Sequence, residues 1–328
     1  YNIGLEMRLF KRLNLSVDAY MDKRSKMPVS GSNVISSAIG ISIPQQNNGK
    51  TEYKGIDMGI DWKDKVGKDF TYYVGGTLNY IRTEVIENGE GYIPYDYLSG
   101  KGLPDGQLFG LEAIGYFRDE ADIANSPQQM FSEVRPGDIK YKDLNNDGQI
   151  DAYDQTYISR GDVPTTVYGF GFTVGWKDLS VGMMFQGVAG AERVLNGSSV
   201  NPFNGGGGSG NLYSNIGDRW TEENPDQNAF YPRLSYGSET TSNINNFQKS
   251  TWWVRNMNFL RLKTLQISYN LPKPWVNKVH LKNAAVYVMG TNLFTLSRFK
   301  LWDPELNTNN GTAYPNVRTY SVGVNVSF

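Results

Sequence analysis

Tyr168-Gly169-Phe170-Gly171-Phe172-Thr173-Val174-Gly175-Trp176 sets five large apolar side chains against four small ones in strict alternation, with an aromatic ring at each end. Alternation with period 2 marks a β-strand, whose successive side chains point to opposite faces. One face of this strand is oily and the other is small and hydratable. Neither face alone suits a soluble sandwich core, whereas a strand that separates hydrocarbon from water uses both. Tyr and Trp at the strand ends suit the headgroup level of a membrane. The pattern recurs in both directions along the chain. Ile56, Met58, Ile60 and Trp62 alternate with Gly55, Asp57, Gly59 and Asp61, and Tyr320, Val322, Val324, Val326 and Phe328 alternate with Ser321, Gly323, Asn325 and Ser327. Similar segments at 3–10, 13–21, 70–81, 179–188, 265–271 and 284–293 bring the total to about nine candidate spanning strands.

The connections alternate in length. Residues 11–12, 64–68 and 177–178 are short turns and 272–282 is a medium one, while 22–50, 83–164, 189–256 and 295–316 are long. Outer-membrane barrels have short periplasmic turns and longer extracellular loops, and a soluble sandwich or β-helix, the competing all-β reading, has no reason to follow that rule. With short turns in the periplasm the first strand runs inward. Barrels of this kind have even strand numbers and begin in the periplasm, so the chain is expected to be the carboxyl-terminal part of a larger barrel. The opening Tyr1-Asn2-Ile3-Gly4-Leu5 has no initiator Met and no leader, which fits processing or a partial chain. The opposite face of the strands is built from Gly, Ser, Thr, Asn and Asp, leaving an interior that a channel or a separate plug is expected to occupy.

Composition narrows the function. The 328 residues carry 32 basic and 33 acidic side chains, a net charge of -1, which gives no electrostatic preference for nucleic acid. There is no cysteine and one histidine, His280, so thiol catalysis, disulfides, cysteine zinc sites and two-imidazole sites are all excluded. The chain reads as a non-enzyme. Mean hydropathy is -0.47 and no apolar run reaches the roughly 18 residues of a membrane-spanning helix. A barrel keeps a polar average, because only alternate residues face lipid, and the aromatic content of 13% with 21 Tyr agrees with one.

Four stretches are candidate sites. Asp143-Leu-Asn145-Asn-Asp147-Gly148-Gln149-Ile-Asp151-Ala-Tyr-Asp154 matches an EF-hand-type loop, with Asp where Glu usually closes it. Hard Ca²⁺ takes six to eight oxygens, and donors on alternate residues of a tight loop converge on one point. Asp143, Asn145, Asp147, Gln149 (through its carbonyl), Asp151 and Asp154 are the expected ligands of a structural Ca²⁺, with an Asx-turn-rich loop as the alternative. Trp252 and Trp253 are expected near the outer rim, where indoles stack on substrate or sit in the interfacial belt. Asp57 and Asp61 share a strand face and read as solvated lumen charges. The Gly/Ser tract at 205–210 lacks the Lys and following helix of a phosphate loop and reads as a loop tip.

Several longer runs then occur in a fixed order. They are Pro136-Gly137-Asp138-Ile-Lys140-Tyr141-Lys-Asp143 before the calcium-type loop, Trp220-Thr-Glu-Glu-Asn224-Pro225, Tyr231-Pro232-Arg233, Phe259-Leu-Arg261-Leu-Lys263 leading to Tyr269-Asn270-Leu271-Pro272, Gly290-Thr-Asn292-Leu293-Phe294, Asp303-Pro304-Glu305, Tyr314-Pro315, and the closing Thr319 to Phe328 strand. Over nearly the whole chain this resembles the carboxyl-terminal barrel half of the SusC/RagA family of TonB-dependent outer-membrane transporters of Bacteroidota. The resemblance implies an all-β, transmembrane antiparallel β-barrel of 22 strands, of which residues 1–328 would be the C-terminal portion. Residues 84–164 would form a long extracellular loop region containing the calcium loop 143–154. It also implies an N-terminal plug domain, absent from this chain, carrying the TonB-contact segment. The implied activity is TonB-dependent import of oligosaccharides or oligopeptides with a SusD-like surface lipoprotein as lid. Insertion by the barrel-assembly machinery would use the terminal Phe328. A scaffold barrel that has lost transport and a passive porin are the alternatives.

Overall fold

A computed structural model of the chain describes residues 1–30, 44–197, 200–203, 214–235 and 243–328. The tract at 205–210 therefore lies outside the described residues. Among the described residues, nine strands form one antiparallel sheet in sequential order: β1 (Asn2–Leu9), β2 (Leu13–Val29), β3 (Gln46–Val66), β4 (Phe70–Glu87), β5 (Thr166–Trp176), β6 (Leu179–Ala189), β7 (Phe259–Asn270), β8 (Asn283–Ser297) and β9 (Thr319–Ser327). β1 and β9 are its edges. No helix among the described residues is long and apolar enough to cross a membrane.

The register carries the alternation of single strands across the whole sheet, because directly opposed residues share a face. On one face Leu5 opposes Val17, Val17 opposes Met58, Met58 opposes Leu78 and Leu78 opposes Tyr168. Farther along, Val181 opposes Ile267, Ile267 opposes Val288 and Val288 opposes Val322. The result is an unbroken apolar belt from β1 to β9. On β3 this face runs from Val66 to Ile56, eleven residues that at a barrel strand's tilt span roughly 27 Å of height, with Asp64 among them beside the short turn, paired to Arg12. At its short-turn end Phe70 opposes Trp176, Trp176 opposes Leu179 and Leu179 opposes Tyr269. At its other end polar pairs take over, Lys54 opposite Arg82 and Glu52 opposite Glu84.

The strands are longer than the sequence pattern marks. β2, β3 and β4 run 17, 21 and 18 residues, about twice the 9–11 that cross a bilayer, so they continue well past the belt on the long-loop side. Their outer halves lose the alternation of hydrophobicity once both faces meet water. β7 likewise begins at Phe259 and not at Leu265, because Leu262 to Thr264 is a bulge that shifts the register against β8 and interrupts the period. The inner face also holds larger groups than expected. Tyr20 and Tyr287 lie there with their rings over the opposed Gly55 and Gly323, where a Cβ would stand 2.3 and 2.5 Å from ring atoms. These glycines let a tyrosine lie flat along the wall.

Candidate functional site

The polar face of β1 to β5 forms an open trough of about 710 Å³ bordered by Glu6, Arg8, Asn14, Ser16, Asp61, Tyr73, Thr77 and Thr173. Asn14 donates its side-chain N–H to Asp61 Oδ2 at 2.8 Å, and Asn79 donates to Asp57. The two aspartates are thus each held by an amide of a neighbouring strand. This wall offers hydrogen-bond donors, acceptors and charges of both signs to whatever passes it.

Above the belt the described residues of three long connections, 83–164, 189–256 and 295–316, do not behave as loops. They fold together into a cap with its own core. Leu111, Tyr116, Ile139, Tyr141, Ile150, Val194, Leu195, Trp220, Tyr231, Trp253 and Phe299 are buried in one cluster drawn from three separate connections. Short strands tie it, with Leu108–Leu111 against Gln155–Ser159, Ala113–Tyr116 against Ile139–Tyr141, and Glu192–Val194 against Val254–Asn256. Burial pushes the phenols of Tyr116 and Tyr141 far above the ordinary tyrosine range, and each donates to a backbone carbonyl, of Ala229 at 2.9 Å and Asn245 at 2.7 Å. Asp122, on the short helix α1 (Glu120–Ala124), is held below the usual carboxylate range by the ammonium of Lys140 at 2.8 Å.

The motif runs meet inside this cap. Asp138 is fully buried and paired with the guanidinium of Arg233, whose Nη2 donates to Oδ2 at 2.9 Å while Nε lies 2.9 Å from Oδ1. Asn243 and Asn246 donate to Oδ1 at 2.9 and 2.8 Å, and the backbone N–H of Arg135 donates to Oδ2 at 2.8 Å. Gly137, at φ +85°, packs so close to the Trp220 ring that a Cβ would stand 2.1 Å from it. The Pro136, Trp220 and Tyr231 runs are therefore one packing node. A second node joins Arg261 of β7 to Asp303, and to Glu305 at 3.3 Å, with Lys263 at 3.7 Å from Glu305. Burial alone would raise the Asp303 carboxyl, but the hydrogen bonds from Arg261 and from the backbone N–H of Glu305 outweigh it and hold the group low.

The 143–154 stretch is a tight turn knitted by its own side chains. Asp143 accepts from the backbone N–H groups of Asn146 and Gly148 at 2.6 and 2.9 Å, Asn145 from Asp147 at 3.0 Å, and Asp147 from Gln149 at 2.8 Å. Asp151 caps the following turn through the N–H of Tyr153 at 2.7 Å. Asp154, in the closing position, is buried with both oxygens engaged, by Leu144 N–H at 2.7 Å and Asp151 N–H at 2.9 Å. No group of three or more acidic or histidine side chains converges on a metal position among the described residues. The backbone N–H groups take part of the accepting capacity of these oxygens, and each carboxylate keeps further lone pairs.

The two indoles sit deeper than expected. Trp253 is 2% exposed, meets Phe230 edge-on and Tyr231 at a tilt in the cap core, and donates to Asn246 O at 2.9 Å. Trp252 is half-buried against Tyr116, ring centroids 4.4 Å apart, and donates to Phe230 O at 3.2 Å. Neither the interfacial belt nor an open stacking platform describes Trp253; it is a core residue, because the connections around it fold over it. Sequence reasoning missed the cap itself. Its signal was the scattering of isolated apolar residues, such as Leu111, Ile139, Ile150 and Leu195, through stretches too irregular for any period.

No protein-family model matches the chain. It is 28% identical to TonB-dependent receptor P26 of Formosa agariphila, over all of this chain and 34% of the relative, and 21% identical to TonB-dependent receptor SusC of Bacteroides thetaiotaomicron, over all of this chain and 31% of that protein. Among solved structures, the RagAB peptide importer in its closed-closed state matches the whole chain and 35% of its own, with TM-score 0.72 and 25% identity. The chain spans about a third of the length of the curated relatives it matches. The nine-stranded antiparallel sheet has the fold of part of an outer-membrane TonB-dependent transporter barrel. The chain is SusC/RagA-like over its whole length.

Proposed function

We propose that the full-length protein imports short peptides across the outer membrane, energised through TonB and working with a SusD-like surface lipoprotein as lid. The observation that carries this reading is the division of one sheet into a lipid belt and a polar wall, in a chain similar along its whole length to a peptide importer. The trough residues Arg8, Asn14, Asp61 and Tyr73 would line the path, offering a peptide partners for its carbonyls, amides and charged ends. The folded cap on the long-connection side would be the surface that such a lid meets. Uptake of labelled oligopeptides by cells with and without TonB tests it: uptake is expected to fall to background without TonB. Undiminished uptake would leave a passive pore, uptake of oligosaccharides alone would change the substrate class, and no uptake of either would leave a scaffold.

Ca²⁺ in the 143–154 turn is a separate part of the proposal. It is supported by the oxygen-bearing side chains of Asp143, Asn145 and Asp147 on alternate residues of one turn. Asp147→Ala is expected to raise protease cleavage within 136–161 in calcium and to change nothing in chelator. Equal cleavage of mutant and parent in both buffers would assign the turn to its hydrogen bonds alone.

A further inference from the structure

The short-turn end of the sheet differs from the rest of the molecule in charge. Residues 10–12, 64–69, 177–178 and 271–282 hold eight Lys or Arg and three Asp, a balance of +5 in a chain whose total is -1, so the remainder sums to -6. The acids do not cancel the cations locally. Asp64 is taken by Arg12 at 2.8 Å, and Lys11, Lys65, Lys68, Lys177, Lys278 and Lys282 are exposed with no ion pair among the described residues. On the cap side, by contrast, Lys101, Lys140, Lys142 and Lys263 each face a carboxylate.

Exposed apolar side chains stand among these cations. Phe10 is 77% exposed beside Lys11, and Trp176 is 59% exposed with the Lys177 ammonium 5.3 Å from its ring centroid. In the turn after β7, helix α2 (Lys273–Lys278) buries Val276, and Leu281 N–H donates to Val276 O at 3.2 Å. That anchoring leaves Trp275, 64% exposed, on the outside together with Val279, flanked by Lys278 and Lys282. Trp176 belongs by register to the apolar belt, opposite Phe70 and Leu179. A surface that is cationic, aromatic and continuous with a lipid-facing belt is complementary to a layer of anionic headgroups, where rings enter the interface and ammonium groups meet phosphate. An acidic protein surface would satisfy the charges but leave the rings in water.

We propose that this rim selects anionic phospholipid in the periplasmic leaflet, its lysines binding headgroup phosphates while Trp176 and Trp275 insert among them. The inference rests on the barrel reading but not on import. The test reconstitutes the full-length protein in phosphatidylcholine vesicles with and without phosphatidylglycerol, and measures retained lipid by native mass spectrometry. Several-fold enrichment of phosphatidylglycerol over phosphatidylcholine is expected, falling to parity as salt rises. It is also expected to reach parity in Lys68→Gln/Lys177→Gln/Lys278→Gln/Lys282→Gln, and to persist in the control Lys249→Gln/Lys300→Gln. Absence of enrichment in the parent, enrichment insensitive to salt, or enrichment unchanged in the rim variant would each overturn the proposal. The salt series needs only the unmodified protein, so a rim variant that fails to insert does not spare the proposal. Failure to enter vesicles at all would instead count against the barrel, and loss of peptide uptake with lipid selection intact would count only against import.

Discussion

Asp138 shows what the ordered motif runs of this sequence do at the scale of one residue. It is fully buried, and its carboxylate holds Arg233, Asn243 and Asn246 from distant parts of the chain. Removing one partner of a buried pair strands the other charge, at about 3–5 kcal/mol. Asp138→Ala is therefore expected to destabilise the cap by about that amount, read as faster proteolysis within 108–164 and 190–257 with heat-modifiable gel migration of the barrel unchanged. Asp303 makes a pH prediction. Its folded pKa is lowered below the unfolded value of about 3.9, so its contribution is complete above that pH and is lost as pH falls through the lower folded value. Pepsin cleavage within 298–318 is expected to rise only below the ordinary aspartate range, and Asp303→Asn is expected to remove that step from the profile.

At the scale of the strand, register decides the outcome of neighbouring substitutions. Leu78 lies on the belt between Met58 and Tyr168, while Asn79 lies on the polar wall beside Asp57. Leu78→Arg places a charge in hydrocarbon toward the outer edge of the belt and is expected to cost about 1–2 kcal/mol, whereas Asn79→Arg stays in water and costs less. Urea unfolding of the two variants in the same lipid checks this, and equal losses would mean that the faces are assigned wrongly. The alternation was legible in Tyr168 to Trp176 because both sides of that strand carry a constraint, hydrocarbon on one and water on the other. It was not legible in β3 beyond Ile56, where Glu52, Tyr53 and Lys54 all meet an aqueous surface and no period survives.

The whole molecule has two stabilities in two solvents. The belt is held by lipid and by the hydrogen bonds of the sheet, and the cap by a water-excluded core that includes Trp253. Trp253→Ala is expected to cost the cap about 3–5 kcal/mol, seen as protease sensitivity of the long connections, while the heat-modifiable band of the barrel persists. Loss of both together would show that cap and sheet fold as one unit. The candidate site divides the same way. The polar wall, with Asp57 and Asp61, was readable from alternation, but the burial of Trp252 and Trp253 was not, since nothing in their neighbours shows that Phe230, Tyr231 and Tyr116 return to cover them.

The sequence by itself determined the two-faced strands, their sequential antiparallel order and the contrast between short turns and long connections, because period, turn length and solvent preference are local properties of the chain. Only the tertiary structure decided that residues 136–138, 220, 231–233 and 243–246 form one node, that Arg261 meets Asp303, and that the long connections build a core. Those contacts join residues far apart along the chain, through single side chains with no repeat. The physics that selects them, burial of scattered apolar groups and pairing of the charges trapped among them, acts only once the chain has been brought together.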